Sequence, residues 1–151
     1  MAFIEVDLGG VKEAEAVPEG TYDLRVAAFD LMKSKKGNDM YKAVIVIEDG
    51  NYPNAKPISE YLTLPGRDHD EAARAFLLRQ IKRFLAVFGV PFEANGFNDE
   101  DVVGATGNCL VVQDEPDENG EVWNSVRAPR LKDDEGVEEK AQARRPARRR
   151  A

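Results

Sequence analysis

Apolar and polar positions alternate with a period of two over residues 21–31, where Tyr22, Leu24, Val26 and Ala28 share one face. That is the pattern of a strand with one side buried. The turn Pro18-Glu19-Gly20 launches this first strand, and Lys33-Ser34-Lys35-Lys36-Gly37-Asn38-Asp39, rich in turn residues, ends it. Residues 40–48 read as a second strand, which makes the pair a hairpin with a basic tip. After a turn cluster at residues 49–54, a third strand over residues 57–64 places Ser59, Tyr61 and Thr63 on one side and Ile58, Glu60 and Leu62 on the other.

The period then changes. Ala73, Leu77, Ile81, Phe84, Leu85 and Phe88 recur at three- and four-residue spacing, which predicts an amphipathic helix of about 18 residues. Asp68 with Glu71 three positions later resembles a capping box, Gly89 and Pro91 stop the helix, and Arg79, Lys82 and Arg83 fall on the opposite, solvated arc. Residues 92–103 read as a connector with one helical turn at 99–103. A fourth strand follows at residues 107–113 and a fifth at 122–128, joined by the acidic loop Asp114-Glu115-Pro116-Asp117-Glu118-Asn119-Gly120 with its Asn-Gly turn signal. Three strands, one helix and two more strands is the connectivity of an OB-fold, a five-stranded Greek-key barrel. Such barrels hold oligonucleotides or oligosaccharides on the face of strands two and three and in the loops joining strands one to two and four to five.

The chain has 151 residues, 42% hydrophobic and 32% charged, a length suited to one domain. The domain is expected over residues 17–131, with an arm at residues 1–16 read as a loose segment or a short strand. A tail at residues 132–151, acidic and then arginine-rich, has the composition of disorder. No apolar run approaches the roughly 18 residues of a membrane span, and no basic-then-apolar start marks a secretory signal. A cytoplasmic protein is the expectation. All 28 acidic residues precede Lys140, against 15 basic ones, so the body carries −13, while the six basic residues from Lys140 onward make the end +6. A body of that sign argues against wrapping duplex DNA through phosphate contacts alone.

Catalysis finds no constellation. Cys109 is the only cysteine and His69 the only histidine, too few for a cysteine- or histidine-based zinc site. Cys109 reads as a small buried strand residue and His69 as a turn residue. The pairs Asp68 with Asp70 and Asp114 with Asp117 lack companions for two-metal chemistry. A non-enzymatic protein with no metal and no cofactor is expected.

Binding is better provided for. Single-stranded nucleic acid is held by aromatic rings that stack on bases within a basic groove. The candidates are Lys33, Lys35 and Lys36 at the hairpin tip, Tyr41 and Lys42 at the start of strand two, Tyr61 in strand three, and Trp123 with Arg127 on one face of strand five. Each has a plainer reading. The lysines can simply keep a hairpin soluble. Tyr41 shares a strand face with Ile45 and Ile47 and can be core, and Trp123 faces away from Val122, Asn124 and Val126.

Several segments together resemble a bacteriophage family: Val17-Pro18-Glu19-Gly20-Thr21-Tyr22, the hairpin Lys33-Ser34-Lys35-Lys36-Gly37-Asn38-Asp39-Met40, the helix segment Leu78-Arg79-Gln80-Ile81-Lys82-Arg83-Phe84-Leu85 with Gly89 after it, and Val103-Gly104 before strand four. That family was long catalogued as a domain of unknown function beside phage replication and recombination genes, and its members look like OB-fold single-stranded DNA-binding proteins. The resemblance implies a protein that coats single-stranded DNA in the infected bacterial cell and presents it to phage replication or recombination proteins. The rival is an OB-like interaction module whose acidic surface docks a basic partner, as a replisome adaptor or a DNA-mimicking inhibitor. An exposed edge of strand one or strand five offers a place for two copies to pair.

Overall fold

One strand organises the rest. In the computed structural model, which describes residues 1–129, β1 (Gly20–Lys33) is 14 residues long, enough to pair with two neighbours. It is followed by β2 (Asp39–Ile47), β3 (Ile58–Thr63), α1 (Glu71–Val87), a small hairpin of β4 (Phe92–Glu93) and β5 (Gly96–Phe97), a 3-10 turn at Asp99–Asp101, β6 (Thr106–Gln113) and β7 (Asn124–Arg127). β1 pairs antiparallel with β2 from Leu24 to Lys33 and with β6 from Gly20 to Arg25. The five long strands run in the order β3-β2-β1-β6-β7, and the outermost two, β3 and β7, lie against each other. The result is a nearly closed antiparallel barrel with its helix between the third and fourth long strands, as expected. The tail expected over residues 132–151 lies outside the described residues, as do the last two residues of the expected domain.

Alternation builds the core. Leu24 and Val26 of β1, Ile45 of β2, Ile58 of β3 and Val111 of β6 are fully buried, joined by Val17 and Val102 from the flanking segments. The expected phase of β1 fails at one point. The β1–β2 register slips between Val26 and Ala28, and a bulge of one residue turns every later side chain to the other face. Phe29, not Ala28, therefore points inward. Its ring stacks on Tyr41 (4.3 Å between centroids, 4° between planes) and meets Phe84 of α1 at 6.1 Å and Phe97 of β5 at 6.3 Å.

α1 buries Ile81, Phe84 and Leu85, the face that its spacing predicts. Its cap differs from the expected one by two residues. Asp70 is the N-cap and accepts the Ala73 amide at 2.7 Å, while Asp68 accepts a long bond from Asn38 (3.4 Å) and is drawn below the usual carboxylate range by it. A cap is chosen by which carboxylate reaches an unpaired amide of the first turn, and the turn at residues 66–69 sends Asp68 toward the β1–β2 hairpin. Gly89 ends the helix with φ 61°. The C-terminal end of α1 rests directly on β6 at Gly107, where a Cβ would lie 2.2 Å from the Val87 carbonyl oxygen; only glycine allows that approach.

Asn124, at the start of β7, ties the chain before β1 to the barrel. Its Oδ1 accepts the Val17 amide (2.9 Å), and its Nδ2 donates to the carbonyls of Val17 (3.0 Å) and Val112 (3.1 Å). Glu15 is fixed further out by backbone bonds to Asn54 and Lys56, both 2.8 Å. Among the described residues, no helix is long and apolar enough to cross a membrane.

Candidate nucleic-acid interface

The expected site residues fall into three groups. The first lies at the seam where β3 meets β7 beneath α1. A groove of about 240 Å³ opens there, lined by Glu60, Tyr61, Gln80, Arg83, Val126 and Arg127 over a floor of core side chains. Tyr61 alternates outward from β3 and is 50% exposed. Its cross-strand neighbour on β2 is Lys42, and Lys42 in turn faces Asp30 of β1. Arg127 is exposed near the end of β7. Two of the expected residues, Tyr61 and Arg127, thus line one groove, and Lys42 lies one strand away, beside Tyr61. Arg83 joins them against expectation: it is half-buried at the groove rather than on a solvated arc, because α1 lies close enough to the seam for its flank to form a wall.

The second group surrounds Trp123. This residue precedes β7 instead of lying within it, although its carbonyl still accepts the Asp114 amide at 2.8 Å. The side chain is 45% exposed and turned away from buried Asn124. Its indole N–H donates to Asp117 (3.1 Å), and the Lys56 ammonium sits over the ring, 4.3 Å from the centroid. Asp117 also accepts the amides of Asn119 and Glu121, both at 2.9 Å. The indole bond, followed by the Glu121 amide, holds the Asp117 carboxyl below its ordinary range. The acidic loop is therefore a folded turn organised around one carboxylate, with Gly120 at φ 80°. Lys56, buried and bonded to Glu121 and to the Val122 carbonyl (2.8 Å), anchors it. Lys56 lies between the turn cluster at residues 49–54 and the expected third strand, where no local pattern marks it.

The third group is the β1–β2 hairpin. Lys33, Lys35 and Lys36 are exposed there, and Lys33 forms an ion pair with Asp39. Tyr41 is the member that the tertiary structure takes inward. Its ring is stacked on Phe29 and its hydroxyl meets Asp99 at 3.2 Å, and burial, then that hydrogen bond, pushes its phenol above the ordinary value. Cys109 is buried, its thiol donating to the Arg127 carbonyl at 3.1 Å, and burial raises its pKa. His69 accepts the Gly66 amide at 2.7 Å through Nδ1, as a turn residue does.

Glu60 was expected only to share a strand side with Ile58 and Leu62. Its carboxylate accepts the Val126 amide at 3.3 Å, bridging the seam where β3 and β7 lack a backbone ladder. Burial raises its pKa and Asp114 adds to the rise, against the Val126 hydrogen bond and Arg127. A carboxyl raised above its unfolded value favours the folded state while protonated, and that contribution is lost as pH rises through the folded value. Glu60→Gln keeps an acceptor for Val126 and cannot ionise. Melting curves from about pH 4 to pH 8, a span that starts near the free glutamate value, should show the wild type losing stability relative to Glu60→Gln as pH rises. A constant difference would mean that Glu60 ionises without cost.

These features define the class: a nearly closed, mostly β barrel with one helix and an aromatic and basic seam. The chain belongs to the family described as "Protein of unknown function (DUF669)", whose model matches residues 4–142. No curated protein matches it.

Proposed function

We propose that the barrel is an OB-fold and that this protein binds single-stranded DNA, without catalysing a reaction, in the replication or recombination of phage DNA. The observation that carries the reading is the grouping of Tyr61, Arg127 and Arg83 at the β3–β7 seam, with Lys42 opposite Tyr61 on β2, in a body of net charge −13. Cations brought to one line beside an exposed ring suit a strand that stacks its bases and threads its phosphates past fixed charges. Trp123 extends the line toward the loop joining the last two strands, with one ring face already occupied by Lys56. The hairpin lysines would guide the strand from the other end. In support, the strand order and the helix position agree with the connectivity of that fold.

The test is a titration with oligo-dT, read by the single tryptophan, beside a duplex of equal length at low and moderate salt. The single strand should bind preferentially, and Tyr61→Ala should weaken it by about 1–3 kcal/mol, the worth of one stacked base, with the melting temperature unchanged. Equal binding of duplex, or an unaffected Tyr61→Ala, would refute the assignment. The second reading, an acidic module docking a basic protein, is favoured by the exposed run Asp99-Glu100-Asp101 and by the carboxylates of the Asp117 loop. It would gain if oligo-dT failed to bind.

A further inference from the structure

The arm before Glu15 is the part of the molecule whose chemistry fits its surroundings least. Phe3, Ile4, Val6, Leu8 and Val11 are exposed to between 62% (Val6) and 91% (Phe3). In Ile4-Glu5-Val6-Asp7-Leu8, apolar and acidic residues alternate with the period of a strand that has one face to bury. A turn follows, in which Asp7 Oδ1 accepts the Gly9 amide (3.1 Å) and Leu8 the Val11 amide (3.4 Å). Beyond it the chain is pinned at Glu15. Residues 3–8 are thus exposed and in no strand, although their alternation is that of one.

The body has the converse feature. β6 accompanies β1 only as far as Arg25 in the ladder, with Val26 bonded to Gly104 and Ala105. From Ala28 to Lys33, β1 is paired with β2 alone, and among the described residues no backbone hydrogen bond reaches it from the other side. This open edge is as long as the arm strand, carries exposed Leu31 and Met32, and ends at Lys33, Lys35 and Lys36. An acidic, apolar strand matches an apolar edge with a basic end, and an open edge is a template for a strand from another chain.

We infer that residues 3–8 of one copy add as a strand to the Ala28–Lys33 edge of β1 in a second copy. Main-chain hydrogen bonds would give the affinity, Ile4, Val6 and Leu8 would lie on one face of the added strand, beside Leu31, and Glu5 and Asp7 would lie on the other, toward Met32 and the hairpin lysines beyond it. A second copy is the occupant because each chain presents both halves of the contact and its own arm stands clear of its own edge. The inference does not depend on DNA binding.

Sedimentation of the full chain over a range of concentrations tests it. The full chain should self-associate, and Ile4→Asp, Val6→Asp and Leu8→Asp together should weaken association at least tenfold, as should Leu31→Asp with Met32→Asp. All five positions are exposed, so both variants should melt with the wild type at concentrations low enough for it to be monomeric. A mixture of the two variants should associate again, because one retains the edge and the other the arm. A full chain that stays monomeric throughout, an arm variant that associates as well as the wild type, or a mixture that stays monomeric would each overturn it; the last is what arm-to-arm pairing would give.

Discussion

Phe29→Ala should destabilise the domain by about 3–5 kcal/mol, the range for removing a large aromatic side chain from a core. Native domains hold only about 5–15 kcal/mol in all. The effect is at the upper end because Phe29 is shared by separate parts of the molecule: Tyr41 of β2 stacks on it, Phe84 brings α1 to it, and Phe97 brings the small β4–β5 hairpin. Aromatic pairs of this kind add about 0.5–1.5 kcal/mol beyond the area they bury. The neighbouring Ala28, outward after the bulge and only half-buried, supplies the control: Ala28→Ser should cost well under 1 kcal/mol, as surface substitutions do. Urea unfolding of both variants decides the matter. A small loss for Phe29→Ala with a large one for Ala28→Ser would mean that the bulge is absent and β1 keeps unbroken alternation.

The second large effect is at Asn124. Asn124→Ala removes the acceptor for the Val17 amide and both donations, to Val17 and to Val112, from a buried site. The Val17 carbonyl keeps the bond that Gln113 Nε2 donates (3.0 Å), but the Val17 amide loses its acceptor, and a buried group left unpaired costs about 1–3 kcal/mol, so a loss of about 3 kcal/mol is expected. Asn124→Asp should be no milder: the carboxylate still accepts from Val17 but cannot donate, and it brings a charge into the interior. Denaturation midpoints give the size, and amide exchange at Val17 gives the place, since that proton should exchange faster in Asn124→Ala. An exchange rate equal to wild type would show that Asn124 does not hold Val17.

The two substitutions also mark how far the sequence could be read. Asn124 was legible only in part: alternation put it with Val122 and Val126 on the side away from Trp123, but its burial and its bond to Val17, 107 residues away, were not evident. Phe29 was not, because alternation alone does not reveal a bulge; Phe29 and Ala28 are both apolar, and only pairing with β2 fixes the phase. Tyr41 shows the same limit at the candidate site. Strand periodicity put it beside Ile45 and Ile47 and left stacking on a base as an alternative, and the inward turn of Phe29 gave its ring a partner.

What the sequence determined by itself is whatever rests on neighbours a few residues apart: five strands and a helix in order, the face of α1, the outward Tyr61 and Trp123, the acidic turn at Asn-Gly, and the contrast between an acidic body and a basic end. These follow from periods of two and of 3.6 residues and from the conformational demands of turns. What only the tertiary structure decided are the relations between distant segments: the meeting of β3 and β7 through Glu60 and Val126, the entry of Arg83 into the seam, the cap passing to Asp70, and Lys56 settling over Trp123. Burial, hydrogen-bond satisfaction and charge depend on which surfaces come together in space, and local pattern carries no record of that.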